Sequence, residues 1–154
     1  MSCFETVGYG YSSILCEDIA SWFINKFVPR HKFYVRIVHK GLKREHSFGF
    51  CDFVDQAHRP RVFVIEVQSN LSKEMYIKTL IHEFVHLKQW LQGTLRMKSG
   101  KMYFEGESVE KYEYMDQPHE IEAYDSEDRL AREFLCDTYG KKFAEKIVGE
   151  SCEE

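Results

Sequence analysis

An α+β domain is predicted by three observations. Two long helical patterns carry their own start and stop residues, a group of short β-rich segments lies between residues 33 and 68, and 44% hydrophobic content in 154 residues is enough for one core. No repeat, low-complexity tract or linker interrupts the chain, so residues 1–154 read as a single domain. A formal charge of −4 without a run of five like charges argues against a nucleic-acid-binding surface or a polybasic membrane anchor. Cys3, Cys16, Cys51, Cys136 and Cys152 are an odd set with no C-x-x-C pair, which points to a reducing, cytoplasmic setting. The first fifteen residues lack the pattern of a secretory signal, and no stretch of about 18 apolar residues occurs, so an unexported protein off the membrane is expected.

Residues 12–28 place Ile14, Leu15, Ile19, Trp22, Phe23 and Phe27 near helical spacing, and Pro29 stops the pattern. An N-terminal amphipathic helix is expected there. Residues 33–38, 47–54 and 62–68 are rich in β-branched and aromatic side chains and are separated by Gly41 and the polar stretch 56–60. They predict a small, mostly antiparallel sheet of three strands. Ser72 can cap a helix over residues 73–91, with Glu74 in its first turn and Gly93 at its end. Its apolar residues nearly encircle it, so this helix should be central and buried. Residues 94–117 are polar, glycine-punctuated and tyrosine-rich, suggesting a hairpin or irregular excursion around 101–114. Pro118 then opens a long helix ending at Gly140, with a short helical tail to residue 148.

Inside the central helix His82-Glu83-Phe84-Val85-His86 spells H-E-x-x-H. At about 100° per residue the two histidines sit roughly 40° apart, one turn from each other, as two imidazoles approaching one ion must. Glu83 lies about 100° from His82, placed to reach a water at the ion rather than to be an equal ligand. The competing reading is two core histidines satisfied by other partners. It would bury several polar groups on a nearly all-apolar helix, which is costly unless each is hydrogen-bonded.

A zinc site of this type needs a third protein ligand and leaves a fourth position for water. Glu105, His119, Glu120, Glu122 and Glu127 are the candidates downstream. On a wheel of the last long helix, Ile121, Ala123, Tyr124, Leu130, Ala131, Phe134 and Leu135 spread about a direction within roughly 10–20° of Glu120. Glu120 therefore points inward. Glu122 falls about 200° away on a solvated face, and His119, about 100° off, is a rim position. Glu127 shares the Glu120 side two turns later, which suits a carboxylate holding a ligand imidazole. Glu105 sits in a strand-and-turn stretch. Glu120 ranks first, with Glu122, Glu127 and the others left as alternatives.

The segment 80–89, LIHEFVHLKQ, followed by the tyrosine-rich excursion and then by 116–123, DQPHEIEA, resembles the small metallopeptidases encoded by bacteriophages and large viruses. These stand on the gluzincin side of the zincins, near SprT-like and ImmA/IrrE-like domains, and the resemblance covers residues 62–135. It implies a minimal zincin-like fold with a sheet packed on the N-terminal helix, the H-E-x-x-H helix and a C-terminal ligand helix. It also implies a protein working inside an infected cell. In ImmA/IrrE-like relatives the third ligand is the glutamate of an E-x-x-A motif, here Glu120 with Ala123. The third histidine and basic tail of SprT-like proteins have no clear counterpart, so their DNA-linked role is not implied.

The function expected is zinc-dependent peptide-bond hydrolysis with one Zn²⁺ per chain on His82, His86 and Glu120 and Glu83 as general base. The partner is then a peptide or protein substrate. Tyr112, Tyr114, Tyr124 and His119 could stabilise the oxyanion, and spacing selects none of them. In the resembling fold an extended substrate pairs with the edge strand before the metal helix, for which residues 62–68 are the candidate, an ordinary inner strand being the alternative. Two other function classes compete. One is an inactive zincin-like zinc-binding or interaction module, against which the presence of Glu83 speaks. The other is a DNA-associated SprT-like protease, whose support is confined to residues 30–32, 40–44 and 59–61.

Overall fold

The computed structural model describes residues 3–42, 47–56 and 58–150. It is a mixed α and β structure, built as β1 (Phe4–Gly8), α1 (Ser13–Phe27), β2 (Tyr34–Lys40), β3 (Gly49–Phe53), β4 (Val62–Gln68), α2 (Lys73–Gln92), β5 (Leu95–Lys98), β6 (Lys101–Phe104), β7 (Glu107–Ser108), α3 (Pro118–Tyr139) and α4 (Lys141–Val148). Among the described residues no helix is long and apolar enough to cross a membrane. Lys43 and Arg44 of the basic stretch 40–44, and Cys152, lie outside the described residues.

The main sheet corrects the expectation of three mostly antiparallel strands. It has four, in the order β1-β2-β4-β3. β1 runs parallel to β2 and β2 parallel to β4, while β3 is antiparallel to β4. The parallel pair β1 and β2 needs a crossover of a dozen or more residues, and the 15 residues of α1 supply it. β4, considered above as an edge strand, is an inner one; the edge next to α2 is β3. Phe4–Gly8 forms the opposite edge, so the N-terminal segment is paired into the sheet beside β2, with β2 and β4 between it and β3.

The core lies between one face of the sheet and the helices. Val35 and Ile37 of β2 and Phe63, Ile65 and Val67 of β4 alternate inward, as a half-buried strand requires. They meet Ile19, Phe23, Ile77, Leu80, Phe84 and Leu87, with Phe23 and Phe84 ring centroids 5.3 Å apart where α1 contacts α2. α2 begins where expected: the Ser72 hydroxyl accepts from the Met75 N–H, a cap worth about 1 kcal/mol. It ends at Gly93, whose φ of 80° is the left-handed conformation that a glycine adopts without a Cβ penalty. α3 packs along α2, and the small sheet β5-β6-β7 follows α2, with β5 against that helix and Phe104 of β6 facing His119 of α3.

Candidate metal centre

Burial of α2 on almost every side leaves its polar residues nowhere to go but into an internal site. His82, Glu83 and His86 are 6%, 5% and 6% exposed. α3 crosses this face and presents Glu120, itself buried, from its first turn. Glu120 Oε1 stands 3.2 Å from His82 Nε2 and 3.2 Å from His86 Nε2. One donor atom from each of the three residues falls within 4.8 Å of the others. A tetrahedral zinc with bonds of about 2.0–2.1 Å separates its ligand atoms by about 3.3–3.4 Å, so the histidine-to-carboxylate spacings fit such an ion.

The outward nitrogens explain why the Nε2 atoms converge. His82 Nδ1 donates to Glu127 Oε2 at 2.8 Å, and His86 Nδ1 donates to Gln89 Oε1 at 2.8 Å. The Gln89 amide is oriented by its own two acceptors, the His119 carbonyl at 3.1 Å and Glu122 Oε1 at 2.9 Å. With Nδ1 committed as a donor on each ring, each Nε2 meets Glu120 either as an imidazolium N–H or as a lone pair directed at a shared cation. Glu127 thus occupies the supporting place expected of it. Gln89 was not foreseen, although a glutamine three residues after His86 on an otherwise apolar helix was a usable signal.

Electrostatics follow from this enclosure. Burial works against the charge on His82, but its bonds with Glu120 and Glu127 prevail and push its pKa up to about 10. His86 is raised in the same way, burial being outweighed by Glu120. Against the cost of burial, the two imidazoles hold the Glu120 carboxyl well below its ordinary range. Burial raises Glu83 to about 7, with the nearby histidines opposing the rise. His119 is lowered to about 4 by burial and by the charge of His86. Two imidazoles and a carboxylate converging in a buried site make a donor set suited to zinc.

No protein-family model, curated protein or solved structure matches the chain.

The remaining candidates separate by position. Glu122 is exposed, and Glu105 is exposed in a turn with φ of 50° after β6, so neither joins the cluster. His119 is not at the rim: it is buried, its ring 5.5 Å from that of His86 and 6.2 Å from that of Phe104. A wheel of α3 could not include Phe104, which reaches His119 from β6. Ile121 and Tyr124, counted on the inward face, are 43% and 37% exposed, so the buried face is turned toward His119. Among the tyrosines, Tyr112 leans on Glu107, whereas the Tyr124 ring lies 4.5 Å from that of His82. Tyr114 is 53% exposed, and partial burial with the charge of Glu120 raises its phenol. The edge strand β3 passes beside Glu83: a Cβ built on Gly49 would stand 3.2 Å from Glu83 Cγ.

Proposed function

We propose that this chain is a zinc-dependent peptidase of zincin-like, gluzincin type, with His82, His86 and Glu120 as the metal-holding residues and Glu83 as general base. The observation that carries the reading is the convergence of both Nε2 atoms on Glu120 Oε1 at 3.2 Å, with buried Glu83 on the same helix. Zinc held there would polarise a peptide carbonyl and lower the pKa of a water. Glu83 is the chain's own proton carrier: its carboxylate takes the proton of the attacking water and returns it to the leaving amine nitrogen. The Tyr124 ring, 4.5 Å from that of His82, and the His119 ring, 5.5 Å from that of His86, flank the two histidines, and their O–H and N–H groups can donate to the developing oxyanion. As an outer strand of the sheet, β3 can be extended by a peptide lying alongside it, a mode of recognition that needs no particular side chain. Among the described residues Cys3, Cys16, Cys51 and Cys136 carry free thiols, which accords with a reducing compartment.

The test is digestion of a diverse peptide library by zinc-loaded wild type and Glu83→Gln side by side. Zinc content and fold should survive the substitution while hydrolysis falls roughly 10²–10⁴-fold. Cleavage undiminished in Glu83→Gln removes Glu83 from the mechanism. A wild type that holds zinc and cleaves nothing favours the zinc-binding module instead.

A further inference from the structure

A cavity of about 470 Å³ opens where the β3–β4 loop meets the end of α2 and the start of β5. His58, Arg59 and Arg61 line it from the loop, Arg96 from β5, and Trp90 from α2. Three guanidiniums on one concavity repel one another unless something anionic is shared among them. Among the described residues none of the three is paired with a carboxylate. Arg96 Nε donates to the Gly93 carbonyl and an Arg61 terminal nitrogen to the Pro60 carbonyl. The acid of this loop, Asp55, is committed to the backbone N–H groups of Arg61 and Val62. The basic side chains are therefore open to a ligand.

The position of the cavity says which ligand. Trp90 is seven residues after Glu83, two helical turns along the same face, about 10 Å away at 1.5 Å per residue. β3 spans that interval: Gly49 lies beside Glu83, and the Phe53 ring stands 5.1 Å from the Trp90 ring. A peptide extended alongside the outer strand β3 at about 3.3 Å per residue would reach the cavity three or four residues from the bond at Glu83. We propose that this arginine-lined cavity receives the carboxylate of an acidic side chain of the peptide substrate. The inference rests on the peptidase reading and narrows it to substrates with Asp or Glu at that distance from the cleaved bond. Planar guanidiniums match a carboxylate with paired hydrogen bonds. A polynucleotide would need a basic tract, whereas this chain carries 25 acidic against 21 basic residues and gathers the three arginines at one point.

Two measurements separate the cavity from the chemistry. In calorimetric titrations of the full-length zinc-loaded chain at fixed ionic strength, acetylated and amidated tetraglutamate should bind and its tetraglutamine counterpart should not. Arg59→Glu and Arg96→Glu should each weaken the tetraglutamate by tenfold or more, and the milder Arg59→Gln should weaken it in the same direction. No binding of tetraglutamate overturns the proposal, as does tighter binding of inorganic phosphate or a single-stranded oligonucleotide at the same site. In the library digestion, acidic residues should be enriched three or four positions from the cleaved bond by wild type and not by Arg59→Glu. Cleavage without that enrichment overturns the acidic-substrate proposal and leaves the peptidase intact. Tetraglutamate binding with no cleavage by wild type overturns the peptidase reading, and with it the substrate assignment, while the cavity remains a carboxylate site.

Discussion

His82 Nδ1 lies 2.8 Å from Glu127 Oε2, joining α2 to α3 two turns beyond Glu120. One helix therefore delivers both the carboxylate that faces His82 Nε2 and the carboxylate that holds the back of the same ring. Glu120 and Glu127 are seven residues apart, which returns a helix to nearly the same face. The imidazole is clamped between them, and its orientation is set before any ion arrives.

Removing the outer clamp should loosen the site without dismantling it. Glu127→Ala leaves His82, His86 and Glu120 in place but frees the ring to turn. Zinc affinity, read by competition with a chromogenic chelator, should fall about 10–100-fold with the helical circular dichroism unchanged. An unaltered affinity would mean that the 2.8 Å contact does not orient the ligand.

The two neighbouring glutamates of α3 should behave differently. Glu120 is enclosed between the histidines, so Glu120→Gln should strip the chain of most of its zinc in elemental analysis. Glu122 is exposed and touches the site through the Gln89 amide, which keeps the His119 carbonyl as a second anchor. Glu122→Ala should leave zinc content near that of wild type. The reverse ranking would show α3 rotated from the orientation described.

How much of this could be read from the chain depends on how local each signal is. Ser72 and Gly93 mark α2 because caps act within one turn, and the residues of H-E-x-x-H meet because a helix fixes their separation. Glu120 and Glu127 followed from the period of α3. Strand direction has no such signature. Alternation in Val62–Gln68 is the same in a parallel or an antiparallel sheet, and what decides is the α1 crossover back to β1, a five-residue strand too short to stand out before Gly8 and Gly10. The burial of His119 and the arginine cavity were hidden for a related reason. Each is assembled from segments distant in sequence, Phe104 with His119 and Arg59 with Arg96, which only the closed fold brings together.

His39 gives the fold a dependence on pH that is separate from the metal site. Its ring is fully buried and stacked on Tyr11 at 3.4 Å; Nδ1 donates to the Val7 carbonyl and Nε2 accepts from the Tyr76 hydroxyl. Burial lowers its pKa below 6.5, against the opposing bond to Val7. The unfolded chain therefore binds the proton first, and the stability contributed by neutral His39 is complete above about pH 6.5 and is lost as pH falls through the folded value. The neighbouring Cys16 thiol, pushed up to about 12 by burial, and the raised Tyr76 phenol do not titrate in this range. Wild type should exceed His39→Gln in urea midpoint at pH 7.5, and the gap should narrow at pH 5.5. A gap that stays constant or widens would contradict the assignment of a neutral, buried imidazole.

Gly49 tests whether β3 must press against Glu83. A Cβ at this position would stand 2.9 Å from the Glu66 carbonyl oxygen, 3.1 Å from Thr79 Cγ2 and 3.2 Å from Glu83 Cγ. The backbone oxygen belongs to β4 and cannot retreat without breaking its ladder, so an added methyl must lift β3 off α2 or push the Glu83 side chain aside. Overpacking of this kind costs about 1–3 kcal/mol. Gly49→Ala should lower the urea midpoint accordingly and Gly49→Val should lower it further. Zinc content should hold in both, because His82, His86 and Glu120 lie outside the clash. Hydrolysis should fall more than stability accounts for, since a displacement of about 1 Å at a proton-transferring group can cost 10²-fold. A Gly49→Ala protein as stable as wild type would show that β3 does not pack this closely on Glu83, and one that is destabilised yet fully active would show that the contact serves the fold alone.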